Sequence, residues 1–184
     1  MHDLIPTPAL GVATQTIGTI TIAENAGVAL ASVAARNGQT DICADVLKSI
    51  LGAVPDVGKA VLHDPEAGFW MAAGQWMIGA PMDTHEDLAD LLKAKLGDAA
   101  SVTEQSGGWV VFDVTGAAMP DLCEILCNVP IRKMAAGDVQ RTVIHQLGCF
   151  VIRRAADDHI RILGPRASAG SLLHALITAA TAVA

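Results

Sequence analysis

An internal repeat limits what this chain can fold into more than any other feature. Ile22–Val33 (IAENAGVALASV) aligns with Val102–Val114 (VTEQSGGWVVFDV). Each segment starts β-branched, passes Glu and an amide, reaches small turn residues and enters an apolar run. Thr40-Asp41-Ile42-Cys43 then lies eighty positions before Pro120-Asp121-Leu122-Cys123. Val61-Leu62-His63 parallels Val143-Ile144-His145, and Ile78-Gly79-Ala80-Pro81 parallels Ile162-Leu163-Gly164-Pro165. Nearly constant spacing over so long a stretch marks two copies of one supersecondary unit.

Each copy reads as ββαβββα. Turns at Asn25-Ala26-Gly27 and Ser106-Gly107-Gly108 predict a hairpin at the start of each copy, because glycine frees the backbone there. A helix follows, with Asp41 or Asp121 in the first turn, where a carboxylate favours the helix dipole. Its apolar stripe is Ile42, Val46, Leu47 and Ile50 in the first copy, and Leu122, Ile125 and Leu126 in the second. Strands are expected over 60–63, 69–72 and 75–78, matched by 141–145, 149–153 and 160–163. The Ala73-Gly74 turn corresponds to Ala156-Asp157-Asp158. Closing helices are expected over 84–96 and 168–181. The fold class is therefore α+β, with two ββαβββα units packed as one domain. Residues 1–16 read as an extended N-terminal arm and 17–184 as a single duplicated domain, with repeat units near 17–98 and 99–184.

Composition excludes several function classes. The chain is 52% hydrophobic and 17% charged, with mean hydropathy +0.43, so part of its surface is expected to be buried against partners. No apolar run reaches a bilayer span. The start carries no basic n-region, so no secretory signal is expected, and four cysteines read as reduced thiols in a cytoplasmic protein. A net charge of −7 argues against nucleic acid. Residues 1–99 hold twelve acids and five bases, whereas residues 100–184 hold seven of each. That acidic half can present a docking face to a basic partner.

Few residues carry recognisable chemistry. Cys123-x3-Cys127 followed by His145-x3-Cys149 has the donor types of a tetrahedral zinc site but not the spacing of a zinc knuckle, and buried core thiols are the commoner use. Asp113 stands among Val111, Phe112 and Val114; it is either a perturbed acid–base group or, by alternation, solvent-facing. Arg166 and Ser168 open the last helix, as an anion site or as an ordinary turn with a Ser168 N-cap. Arg153-Arg154 is a basic pair at a strand end. Phe69, Trp70, Met71, Trp76 and Met77 flank one tight turn, as core or as interface anchors. No nucleophilic triad, G-x-G-x-x-G or Walker loop is present.

The order of short motifs resembles the gamma subunit of heterotetrameric sarcosine oxidase. They are GFWMAAGQWMI, VTEQSGGWVVFDVTG, CNVPI followed by Gly137-x3-Arg141-Thr142, and ILGPRASAGSLLHAL. The resemblance implies a fold similar to the folate-binding domain of aminomethyltransferase. It implies a non-catalytic subunit that braces the flavin-bearing subunits of an oxidase demethylating sarcosine. Its partners would be the alpha, beta and delta subunits, which would hold FAD, FMN, NAD, tetrahydrofolate and zinc. This chain would hold no cofactor, no metal and no catalytic residue. The alternative is a stand-alone folate-binding protein or one-carbon transferase.

Overall fold

The computed structural model describes residues 7–63, 66–154 and 158–184. In chain order the strands and helices are β1 (Gln15–Ile17), β2 (Ile20–Glu24), β3 (Val28–Ala35), α1 (Thr40–Leu51), β4 (Ala60–Val61), β5 (Ala67–Ala72), β6 (Gln75–Pro81) and α2 (Leu88–Leu96). They continue with β7 (Ala100–Glu104), β8 (Trp109–Thr115), α3 (Met119–Leu126), β9 (Val139–Ile144), β10 (Leu147–Arg153), β11 (His159–Pro165) and α4 (Ala169–Val183). The protein is α+β, with two antiparallel sheets and four α-helices among the described residues. None of these helices is long and apolar enough to cross a membrane.

One compact unit is Gly27–Gly107, with strand order β4-β5-β6-β3-β7. Gly74, at φ +68°, supplies the left-handed residue of the β5–β6 hairpin, as the Ala73-Gly74 pair predicts. On one sheet face, Ala29, Ala31, Val33, Trp76 and Ile78 pack with Cys43, Leu47 and Leu51 of α1 and Leu88, Leu92 and Leu96 of α2. Leu30, Phe69 and Met77 are buried as well. The other unit joins residues 7–26 to Gly108–Ala184, with strand order β1-β2-β8-β11-β10-β9. Its core sets Ile20, Ile22, Phe112, Val114, Ile160 and Ile162 against α3 and α4. Each such side chain contributes roughly 1.5–3 kcal/mol on leaving water.

The structure corrects the expected opening hairpins. β2 pairs with β1 and β8, while β3 pairs with β6 and β7. The residues between them do not make the left-handed turn a tight hairpin needs, since Gly27, Gly107 and Gly108 are not among the positive-φ residues. Burial supplies the reason: β3 buries Ala29, Leu30, Ala31 and Val33, and β8 buries Val110, Val111, Phe112 and Val114. Strands that bury both faces occupy sheet interiors, so each needs a neighbour on both sides.

The helices are also rotated and trimmed. α1 buries Cys43, Leu47 and Leu51 and leaves Ile42 54% exposed; α3 buries Met119, Leu122 and Cys123 and leaves Ile125 58% exposed. In α1 the apolar residues span an arc wider than one contact stripe, so its centre faces the sheet and Ile42 falls at the rim. α2 starts at Leu88 rather than Thr84, because the Thr84 and His85 amides donate to the Pro81 carbonyl in a preceding turn. α4 starts at Ala169, after a 3-10 turn over Arg166–Ser168, and Ser168 makes no side-chain cap bond. β9 ends at Ile144, not His145: His145 and Gln146 take φ +49° and +68° in the turn to β10. Residues 1–6 of the expected arm and 156–157 of the expected turn lie outside the described residues. Ala9 and Leu10 pack on the second unit's core, and the Glu24 carboxylate accepts from the Ala9, Leu10 and Gly11 amides at 2.5, 3.2 and 3.0 Å.

Gly116 holds the end of β8 where no other residue fits. Its φ is +122°, and a Cβ there would lie 1.7 Å from the Thr19 carbonyl oxygen. Gly116→Ala is expected to destabilise the fold by about 3 kcal/mol. Urea unfolding followed by circular dichroism measures this, and an unchanged midpoint would contradict the close approach.

Candidate functional site

Asp113 is the most heavily bonded polar group on the β8–β11 face opposite the helices. Phe112 and Val114 point into the core, and the pleat turns Asp113 to the other face, where Arg161 of β11 is its direct cross-strand neighbour. The two form a fork: Arg161 Nε donates to Oδ1 at 2.8 Å and a terminal nitrogen to Oδ2 at 2.9 Å. His159 Nε2 lies 3.1 Å from Oδ1, and the Asn25 amide donates to Oδ2 at 2.7 Å. The Asp113 side chain is only 18% exposed. Burial works to raise its pKa, but the hydrogen bonds from His159 and Arg161, the Arg161 charge and the Asn25 bond outweigh it. They hold the carboxyl well below the usual carboxylate range. Asp113 is thus neither solvent-facing nor poised as an acid; it is a permanently ionised tie between β8, β11 and the end of β2.

The cysteine set resolves into core thiols. Cys123 and Cys149 are buried and Cys127 is half-buried. Burial pushes Cys123 up to about 12, with Cys127 adding to the effect, and pushes Cys149 up to about 11. Cys123 Sγ rests 3.8 Å from Met119 Sδ, and Cys127 Sγ 3.6 Å from the Cys123 carbonyl. His145 sits in the exposed turn after β9 rather than at the end of the strand expected over 141–145. Among the described residues no three His, Cys, Asp or Glu side chains converge as a metal site.

The other sequence candidates are also engaged. Arg166 donates to the Thr7 carbonyl at 2.7 Å, so its guanidinium holds the arm. Arg153 reaches Met119 Sδ at 3.7 Å, and the Arg154 amide bonds the His159 carbonyl. Trp76 is core, 5% exposed, with its indole N–H donating to the Pro55 carbonyl at 3.0 Å. Trp70 is its cross-strand partner and is half-buried.

Sequence reasoning missed a groove of about 290 Å³ in the second unit, lined by Ile125 and Leu126 of α3, His145, and His174, Thr178 and Ala179 of α4. Its signal was present, because His174, Thr178 and Ala182 recur at helical spacing among small residues. Asn25, His159 and Arg161 were missed as partners of Asp113; only Asp113 itself, a charge in an apolar run, announced the cluster.

Two measurements follow from this geometry. Asp113→Asn leaves Arg161 without its charge partner and is expected to cost about 3 kcal/mol, with the Asp113→Asn, Arg161→Met pair costing less than the sum of its parts. The folded carboxyl titrates below the unfolded value of about 3.9, so its contribution is full above that pH and lost as pH falls through and below it. Denaturant midpoints should therefore fall more steeply between about pH 5 and 3 in the wild type than in Asp113→Asn. At neutral pH a thiol reagent should label Cys127 first, with Cys43, Cys123 and Cys149 reacting only on unfolding; four fast thiols would contradict the core assignment.

No family model matches the chain, and neither does any curated protein sequence. Solved structures similar in fold include the following two. A chain of the heterotetrameric sarcosine oxidase from Corynebacterium sp. U-96, in complex with pyrrole 2-carboxylate, superposes with a TM-score of 0.78. The match is 20% identical and covers 89% of this chain and 85% of that one. The glycine cleavage system aminomethyltransferase T from Bartonella henselae superposes with a TM-score of 0.65 at 15% identity. It covers 88% of this chain, which spans 46% of the aminomethyltransferase. The fold of this chain is the one these two proteins share.

Proposed function

We propose that this chain is a non-catalytic, gamma-type subunit of a sarcosine oxidase complex and braces its flavin-bearing subunits. The observation that carries the reading is the reciprocal match in size: the similarity spans 85% of the sarcosine oxidase chain but less than half of the aminomethyltransferase. A chain that corresponds to one whole chain of a multi-subunit oxidase is the size of a subunit, not of a complete transferase. Alpha, beta and delta subunits are the partners, and FAD, FMN, NAD, tetrahydrofolate and zinc belong to them. The state of the chemistry-bearing side chains supports this division. Asp113 has its charge matched by Arg161, and the thiols of Cys123 and Cys149 are held neutral by burial.

The duplication belongs to the same reading. The order β4-β5-β6-β3-β7 in one sheet runs parallel to β9-β10-β11-β8-β2 in the other, element for element. β2 opens the first copy yet completes the second sheet beside β8, and β7 opens the second copy yet completes the first sheet beside β3. This correspondence supports reading the chain as one domain of two copies, near 17–98 and 99–184, that exchange their first strands.

Co-expression with the flavin-bearing subunits tests the function. The chain is expected to copurify with them, and sarcosine turnover is expected to fall when it is omitted. Full assembly and turnover without it would overturn the reading. Tight tetrahydrofolate binding by the isolated chain in calorimetry would favour the one-carbon alternative.

A further inference from the structure

Among the described residues the two sheets have four edge strands, and three of them carry features that keep another strand from adding on. β4 has two residues and β1 has three. β7 ends on the charge of Glu104, and the Lys93 ammonium donates to its Ala100 carbonyl at 3.2 Å. Short length and charge are the usual guards of a sheet edge. β9 differs. It runs six residues with no proline, lysine or acid, and it leaves Val143 61% exposed. Its one charge, Arg141, has its guanidinium carbon 5.8 Å from the centre of the Phe150 ring. Phe150 is the cross-strand neighbour on β10, so the charge is drawn over the sheet and away from the free edge.

The backbone of β9 presents a matching row of open bonding groups. His145 and Gln146, both at positive φ, make a two-residue turn closed by the pair Ile144 and Leu147. In such a hairpin the closing pair exchanges both bonds, and bonded and non-bonded pairs alternate from there. Ile144, Thr142 and Gln140 therefore turn their amides and carbonyls to β10, whereas Val143 and Arg141 turn theirs outward. Among the described residues nothing bonds those outward groups. Ile144 belongs to the core on the helix side, so the pleat sets the side chains of Arg141 and Val143 together on the opposite face.

We infer that β9 pairs antiparallel with β9 of a second copy of this chain, about a twofold axis at Thr142, joining two sheets edge to edge. The strand's own sequence selects both register and occupant. An axis at Arg141 would set two arginines directly opposite each other, which is destabilising. An axis at Thr142 sets Arg141 of each copy opposite Val143 of the other. Both residues turn their main-chain groups outward, so four hydrogen bonds close across the axis, and each arginine stem covers an exposed valine. The strand is thus complementary to itself, as a twofold contact requires. This pairing does not depend on membership of an oxidase complex.

Sedimentation of the purified full chain alone, over a wide range of loading concentration, tests the pairing. The wild type is expected to pass from monomer to dimer as concentration rises. Val143→Lys sets like charges opposite each other twice and is expected to raise the dimer dissociation constant about tenfold or more. Val143→Glu sets a carboxylate opposite each Arg141 and is expected to leave that constant unchanged or lower it. Ser101→Lys, at the exposed edge of β7, is expected to change nothing. All these positions are exposed, and thermal melts of each variant confirm folding. A wild-type chain that stays monomeric throughout, or lysine and glutamate variants that associate alike, would overturn the inference. If the isolated chain is monomeric and Val143→Lys weakens copurification with the flavin-bearing subunits, the edge takes a strand from one of them, and the second copy is overturned as its occupant.

Discussion

A strand that buries side chains on both faces cannot be left at the edge of an antiparallel sheet, and that constraint organises this protein. β3 and β8 are two such strands, and β6, β10 and β11 likewise bury consecutive residues. Each leaves a row of amides and carbonyls on either side that must be paired away from water. β6 and β11 cover one side of β3 and β8. β7 and β2 cover the other, and in each case the covering strand is distant along the chain from the strand it pairs with. The sequence-adjacent pairing, β2 on β3, would need a tight turn at Asn25–Gly27 that the backbone does not make. The long-range pairings β2·β8 and β3·β7 follow, and folding must close loops of some seventy to ninety residues to make them. Topologies dominated by such contacts fold slowly.

The Asp113 cluster sits where that topology needs reinforcement. Asn25 is the last residue before the chain leaves the β2 side, and it is fixed twice. Its amide donates to the Val111 carbonyl at 2.8 Å and its side chain to Asp113 at 2.7 Å. Arg161 then ties the same carboxylate to β11. A half-exposed ion pair would contribute little. This one has two parallel bonds, two further donors and an 18% exposed side chain at both ends, so its geometry is specific and its loss is costly. A slip of β2 along β8 by one residue would turn its Ile20 and Ile22 outward and break the Asn25 contact together.

Local signals in the sequence predicted the local elements well. The Ala73-Gly74 hairpin, the helices opened by Asp41 and Asp121, and most strand positions fall where periodicity and turn chemistry put them. What pattern could not read was pairing at long range. Nothing in residues 22–33 says whether β2 joins β3 or β8, since the same alternation suits both. Asp113 shows the same limit: its partners lie 88, 46 and 48 residues away, and alternation alone sent it to solvent. The α1 stripe was misread because Ile42, Cys43, Val46, Leu47, Ile50 and Leu51 form an arc, and only packing decides which edge of it faces outward. His145 and Gln146 were assigned to strand and loop because a left-handed turn built without glycine or asparagine has no compositional signature.

Burial and charge together decide which groups of this chain are held inert. Buried groups are made inert: thiols stay protonated, and the Asp113 carboxylate is matched by a guanidinium. The surface is not treated evenly. One unit closes an acidic helix face with its own arginine, since Arg132 bonds both Asp121 and Glu124, whereas Asp41 in the other is favoured by the dipole of the helix it opens.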